Sequence, residues 1–320
     1  NLAANYKLHP KLQINTNLGY TNNKSDNRPA AYRESVSNLV YRLPANIDIN
    51  QLRNYWVPGK EGLQQFSIDG EDNPYFVAYE HTNAYTRDRL TGNIQALLSI
   101  RPDLQLMVRT GMDLYNEEHE NKRPFSSKRN KQGAYSIDKA YFKEQNTDVL
   151  LTYTKQLNQN WFFSIAAGAN RMDRKTTSLE QKTESLSIPE VYNISNATAG
   201  SVINSEYQSS KRINSVYAIG QVNFKDQLYV DFTGRNDWSS TLPAVNNSYF
   251  YPSISTSVIL SDLLKFDSSV LSFAKIRANW AQVGSDTDPY QLYNTIPFGT
   301  DWGDVKRATI EFNLKNNFLL

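Results

Sequence analysis

The chain has 320 residues, with 34 Lys and Arg against 32 Asp and Glu and a formal charge of +2. That near balance excludes a strong electrostatic pull toward nucleic acid or acidic partners. The absence of cysteine excludes disulfides, Fe–S clusters and thiolate zinc sites, and no run of about 18 apolar residues is present to make a spanning helix. Membrane-crossing strands need only about 10 residues each and stay open as a possibility.

The first residues alternate and turn tightly at His9-Pro10-Lys11. A polar stretch over 21–87 follows, with short helices predicted over 34–43 and 49–56, stopped by Pro44 and Pro58. Stretches this long usually carry function. From 88 to 100 the pattern is strict: Leu90, Gly92, Ile94, Ala96, Leu98 and Ile100 alternate with Arg89, Thr91, Asn93, Gln95, Leu97 and Ser99. After Arg101-Pro102-Asp103, Leu104, Leu106, Val108, Thr110, Met112 and Leu114 oppose Gln105, Met107, Arg109, Gly111, Asp113 and Tyr115. The regions 117–146 and 173–210 read as polar loops, with a turn at Asn158-Gln159-Asn160 between them. Beyond a turn at Lys225-Asp226-Gln227, Leu228, Val230, Phe232 and Gly234 oppose Tyr229, Asp231, Thr233 and Arg235. A loop at 239–248, a linker at 262–270 holding a predicted helical turn, a strand over 274–280, a loop at 284–306 and a hairpin over 309–320 complete the chain.

Period two held over about ten segments is a strand pattern. Short turns at one end and long loops at the other mark an all-β, antiparallel transmembrane barrel segment, with turns in the periplasm and loops outside. A soluble sheet also alternates, but the segments run about 10 to 13 residues against about 5 or 6 in soluble proteins. Small apolar residues such as Ala96, Ala167, Ala169, Ala218 and Gly220 would pack a sandwich core poorly, whereas against lipid they suffice. Trp161, Tyr115, Trp238, Tyr249, Phe250, Tyr251 and Trp280 fit aromatic girdles at headgroup depth. Arg89, Arg109, Asp113, Asp231, Arg235, Lys275 and Arg277 must then point inward, because an Arg facing midplane lipid costs about 2–4 kcal/mol.

Catalytic chemistry is poorly supported. The three histidines, His9, His81 and His119, show no HxH or HExxH spacing, and none falls on a predicted strand where a serine hydrolase would need it. No phosphate-cradling glycine loop occurs. No cofactor is expected. A loop-bound calcium is the one metal that the acidic patches (Asp69, Glu71 and Asp72; Asp286 and Asp288) would suit, although neither patch reproduces the twelve-residue calcium loop. Candidate ligand-binding residues are therefore the loop aromatics Trp56, Tyr75, Tyr192 and Trp302, able to stack on sugars or pack on peptides, and the inward Arg235 and Arg277.

The stretch FTGRNDWSSTLPAVNNSYFYPSISTSVILSD at 232–262 resembles a hallmark segment of SusC/RagA-like TonB-dependent outer-membrane transporters. NPYFVAYEHTNAYTRDRLTGN at 73–93, IPEVYNISNA at 188–197 and SFAKIRANWAQVGSDTDPY at 272–290 agree in the same order. The resemblance implies a barrel of about 22 strands, closed by an N-terminal plug and driven by the TonB-ExbB-ExbD complex. It also implies a SusD-like surface lipoprotein as lid, an oligosaccharide or oligopeptide as cargo, and the outer membrane of a Bacteroidota-type cell, surrounded by its lipid. The family brings no catalytic residues, and RNDWSS reads as a structural motif at the rim. On this reading residues 1–320 are a partial barrel domain of about ten or eleven strands, without plug or C-terminal strands, and 21–87 is the expected seat of the lid. A surface adhesin or glycan-binding barrel without transport is the alternative; a plug and TonB-contacting segment upstream would exclude it. Half a barrel leaves two unpaired edges, which lipid does not tolerate. The 320 residues alone are therefore expected not to insert, and recovery of a heat-modifiable, membrane-integrated fragment would overturn that.

Overall fold

The computed structural model describes residues 1–29, 35–67, 70–265, 271–292, 303 and 305. The expected hairpin over 309–320 and Trp302 lie outside them. Among the described residues ten strands form one antiparallel sheet, each long strand pairing with the next in sequence. They are β1 (Leu2–His9), β2 (Leu12–Ser25), β5 (Thr82–Arg101), β6 (Leu104–Phe125), β7 (Gln132–Gln156), β8 (Trp161–Thr183), β9 (Val202–Phe224), β10 (Leu228–Ser239), β11 (Ser248–Ile259) and β12 (Lys275–Ala281). The remaining pair, β3 (Trp56–Val57) and β4 (Lys60–Gln64), makes a small hairpin inside the first long loop.

Register separates the two faces. Paired residues share a face, and one line of partners runs Tyr6, Ile14, Ala96, Val108, Val149, Ala169 and Val216 across seven strands. One residue away runs Asn5, Asn15, Gln95, Arg109, Asp148, Asn170, Ser215, Asp237 and Tyr249. The first line is apolar apart from one phenol, and most of it is exposed, with Val149 at 40% and Val216 at 49%. The second is polar throughout. A sheet with an exposed apolar face and a polar opposite face is what a barrel wall presents to lipid and lumen. Arg89, Arg109, Asp113, Asp231, Arg235, Lys275 and Arg277 all fall on the polar face, as expected.

On β5 to β9 the outer face stays uncharged from the turn end up to Asp88, Glu118, Lys143, Arg171 and Arg212, with Lys155 at the turn end itself. Nine residues of β8, 161–169, thus cross the apolar zone, about 30 Å along the strand and about 21–25 Å in height at the usual tilt.

The strands do not stop there. β5 to β9 are 20, 22, 25, 23 and 23 residues long, so most of 117–146 and much of 173–210, expected as loops, is paired sheet. Above the lipid both faces meet water, apolar–polar alternation disappears, and the ladder continues without its sequence signature. The girdle assignment also needs correction: Tyr115, Tyr249 and Tyr251 sit on the inner face, while Trp161, Trp238, Phe250 and Trp280 face outward. His119, expected in a loop, is on β6.

Turns form where expected. Pro10-Lys11 and Pro102-Asp103 close β1–β2 and β5–β6, and Asn158 Oδ1 accepts the Asn160 and Trp161 amides at 2.9 and 3.1 Å. In the first loop α1 (Val36–Tyr41) lies within the predicted 34–43 helix. The predicted helix over 49–56 shrinks to a single tight turn, Ile49–Leu52, before the chain enters β3. An unexpected α2 (Pro74–Glu80) begins at Asn73, whose side chain caps the Tyr75 amide. A helical turn, α3 (Leu260–Leu263), forms earlier than the expected one and overlaps the linker 262–270 at two residues, while 266–270 lie outside the described residues.

On the inner face Gly168 lets Tyr217 lie across β8: an added Cβ would come within 2.6 Å of the phenol ring. This brings the Tyr217 hydroxyl to Asp148, to which it donates at 2.6 Å. If the opposite face meets lipid, Val149→Arg in the full-length parent should cost about 2–4 kcal/mol of folding into bilayers. Urea titration in lipid vesicles with a heat-modifiability readout checks this, and an unchanged midpoint would place Val149 in water.

Candidate functional site

Within the apolar zone the inner wall is an ion-pair lattice. Arg89 forks onto Asp113 at 2.8 and 2.5 Å. Arg109 meets Asp148 at 3.2 Å beside Tyr217. Arg235 donates to Asp237 at 2.6 Å and to Ser215 at 2.8 Å, and Asp231 accepts from Gln221 at 2.8 Å and Ser255 at 3.2 Å. A recess of about 710 Å³ opens on this wall, with Gly19 and Gly111 leaving room between Asn17, Asn93, Asn146 and Asn170. Amide side chains both donate and accept, so the recess suits a ligand rich in amides or hydroxyls.

Higher on the same face, where the strands leave the lipid, aromatic and guanidinium groups interleave across β5 to β8. Arg28 lies 4.2 Å over the Tyr85 ring, Arg87 lies 4.6 Å over Tyr115, Tyr115 stacks on Phe142 at 4.9 Å, and Arg174 lies 5.9 Å over Phe142. Carboxylates tie the ladder: Arg87 Nε donates to Glu117 at 2.5 Å and Arg174 Nε to Glu144 at 2.8 Å. Arg28 Nη2 is 2.8 Å from His119 Nδ1. A guanidinium only donates, so Nδ1 accepts and the imidazole proton sits on Nε2, which donates to Glu117 at 2.6 Å. Burial pushes the Glu117 carboxyl up, but hydrogen bonds from His119 and Arg87 outweigh it and hold the group below its ordinary value.

The rim above carries three braced loops. In the first, Leu39, Phe76 and Val77 form a small core with Tyr55 and Trp56 against it. Asn73, fully buried, donates to the Leu52 and Gln65 carbonyls at 3.0 and 3.1 Å. Gln64 donates to Asp72 at 2.7 Å and to the Ser126 carbonyl at 2.6 Å, joining this loop to the β6–β7 turn. In the loop 184–201, Asn196 donates to the Ile188 and Val191 carbonyls at 2.8 and 2.7 Å and accepts the Ile188 amide at 3.1 Å. At the third, Asp286 meets Lys211 at 2.7 Å and accepts from Ser239 at 2.6 Å and Thr241 at 3.3 Å. RNDWSS is thus a rim clasp: Ser239 from this motif and Asp286 from the 272–290 stretch hold each other.

The structure gathers three of the candidate ligand residues at one sector of the rim. Trp56 packs 5.1 Å from Tyr55, whose hydroxyl donates to Glu80 at 2.7 Å, and Tyr75 stacks on Tyr79 at 6.3 Å. Tyr192 lies half-buried 6.5 Å from Tyr135; burial, then Glu190 and Glu80, push its phenol up. Arg235 sits lower on the wall within its Asp237–Ser215 bonds, and Arg277 lies exposed on the inner face of β12. Trp302 lies outside the described residues. Of the acidic patches, Glu71 pairs with Lys128 at 2.8 Å and with Arg42 at 3.2 Å, and Asp286 with Lys211, while Asp69 lies outside the described residues. Sequence reasoning missed the ladder, although its residues continue the inner parity of Arg89 and Asp113.

This wall and rim have the fold of outer-membrane TonB-dependent transporter barrels. Solved structures of the RagAB peptide importer in its closed-closed and open-open states each match with a TM-score of 0.76 over 96% of this chain, at 15% identity. A further RagAB peptide transporter structure matches at 0.77 over 96%, also at 15% identity. The chain spans only 34–35% of the length of those structures. No protein-family model and no curated protein matches the sequence.

His81 closes α2 with Nε2 3.1 Å from Ser127 Oγ, and Ser127 donates to the Pro124 carbonyl at 2.8 Å. Burial, with Arg123 nearby, lowers its pKa from 6.5 to about 3. The folded loop therefore keeps His81 neutral, and the unfolded loop takes up the proton first. His81's contribution to stability is whole above pH 6.5 and declines as pH falls toward about 3. In the parent protein labelled at histidine ring carbons, the His81 signal should stay flat from about pH 8 to pH 5. A midpoint near 6.5 would show the ring to be solvated.

Proposed function

We propose that this chain forms about ten strands of the wall of a TonB-dependent importer, working with a SusD-like surface lipoprotein in a Bacteroidota-type outer membrane. The observation that carries the reading is the two-faced sheet: an exposed apolar zone backed by a charged, recessed wall that rises into an aromatic–guanidinium vestibule. A surface adhesin needs outward loops, but it has no use for a lumen lined in this way. The fold shared with a peptide importer supports the reading further.

Oligopeptide is the cargo this wall favours over oligosaccharide. Sugars bind aromatic faces that are open, and here the Tyr115, Phe142 and Tyr85 faces are covered by one another or by guanidinium groups. What remains presented are amides in the recess, which serve either cargo, and guanidinium edges above it, which pair with peptide carboxylates. Plug movement driven by TonB would then open the path beside this wall.

Two measurements test the proposal. Mass spectrometry of what co-purifies with the full-length parent from solubilised outer membranes should find a stoichiometric surface lipoprotein; a barrel recovered alone points to the adhesin. Arg87→Ala with Arg174→Ala should lower uptake of a labelled oligopeptide mixture about tenfold, a loss of roughly 1.4 kcal/mol, at unchanged surface abundance. Unchanged peptide uptake with diminished oligosaccharide uptake would reverse the cargo assignment.

A further inference from the structure

The outer face carries its own charged cluster, which cargo in the lumen cannot reach. Lys143 on β7, Arg171, Asp173 and Lys175 on β8, and Arg212 on β9 share the parity of Val149, Ala169 and Val216, and no bulge interrupts the register between them. They therefore stand on the lipid-facing side, directly above the apolar zone.

Two features of the cluster call for an anion. Lys143 and Lys175 are direct cross-strand partners, an arrangement that is repulsive unless negative charge lies between or beside them. Asp173 is the single carboxylate among these five residues, and it accepts from Arg171 Nε at 2.7 Å and Arg212 Nε at 2.5 Å. Each guanidinium meets it through Nε, so their Nη groups are left to a further acceptor. Both arginines are about half exposed, at 53% and 51%.

Height identifies the source of the anion. Arg171 is two residues beyond Ala169, about 7 Å along the strand and about 5 Å along the membrane normal at a tilt near 45°. That is inside a headgroup layer of about 5–8 Å. Lys175 stands about 14 Å up, and its long stem can reach down along the wall. We propose that this cluster seats the phosphate groups of an anionic lipid of the outer leaflet, fixing the lipid against β7, β8 and β9. The inference rests on the membrane-spanning reading of the sheet.

The test uses the full-length parent, delipidated in neutral detergent and titrated with bisphosphorylated lipid A under native mass spectrometry. Each basic residue near an anionic lipid surface is worth roughly fivefold in affinity. Lys143→Gln/Lys175→Gln should weaken binding at least about tenfold, and adding Arg171→Gln/Arg212→Gln about a hundredfold or more. Heat-modifiability of each variant shows that it folds, and the lysine pair alone leaves the Arg–Asp bridge intact. Wild-type affinity in the four-site variant, or equal binding of dephosphorylated lipid A, overturns the proposal. Displacement of lipid A by millimolar inorganic phosphate would assign the site to a free anion instead. If Val149→Arg folds normally in vesicles, the membrane reading itself has failed; if it does not, only the lipid site is at stake.

Discussion

In hydrocarbon no water is available to satisfy a main-chain N–H or C=O, so every group must find its partner within the sheet. All else in this chain follows from that requirement. Continuous pairing from β5 to β9 forbids slippage by one residue, because a slip would turn Arg109, Asp148 and Asn170 into the lipid and bring Val108, Val149 and Ala169 inward. Once register is fixed, function can reside on one face alone. The lattice of Arg89–Asp113, Arg109–Asp148 and Arg235–Asp237 is the consequence: charges excluded from one side are collected on the other, where they neutralise one another.

How much of this was legible in the sequence depended on whether the two faces met different solvents. Between the turn end and Leu114, Val149, Ala169 or Val216 they do, and the strands, their facing and their tight turns could be read directly. Past Arg171 and Lys143 both faces are wet, so β6 to β9 continue through polar sequence that looks like loop. Tyr115 was misread for the same reason: at the boundary an aromatic residue fits either a girdle or the inner wall, and only parity with Asp113 decides. α2 went unread: Asn73 as cap and Pro74 in the first turn mark its start, but the surrounding polar stretch obscured them. The ladder required knowledge that β5, β6, β7 and β8 pair at that height, which no single segment contains.

Each stretch that resembles SusC/RagA-like transporters contains a side chain that braces the rim. Asn73 ties the first loop, Asn196 the loop after β8, and Ser239 with Asp286 the far side. Each is a side chain that takes over hydrogen bonds the backbone cannot make for itself outside a ladder. A brace of this kind needs one particular set of donors and acceptors.

The length of the strands sets a distance at the cell surface. From 171 to 183 β8 climbs about 41 Å along its axis, or roughly 29 Å in height at the usual tilt. Along β5 to β9 the wall ends in a collar well clear of the headgroups, while β10 and β11 stop lower. Any lipid-anchored protein resting on that collar must span the gap with chain of its own, about nine extended residues at 3.3–3.6 Å each. A shorter anchor would hold it against the side of the collar instead of over its mouth.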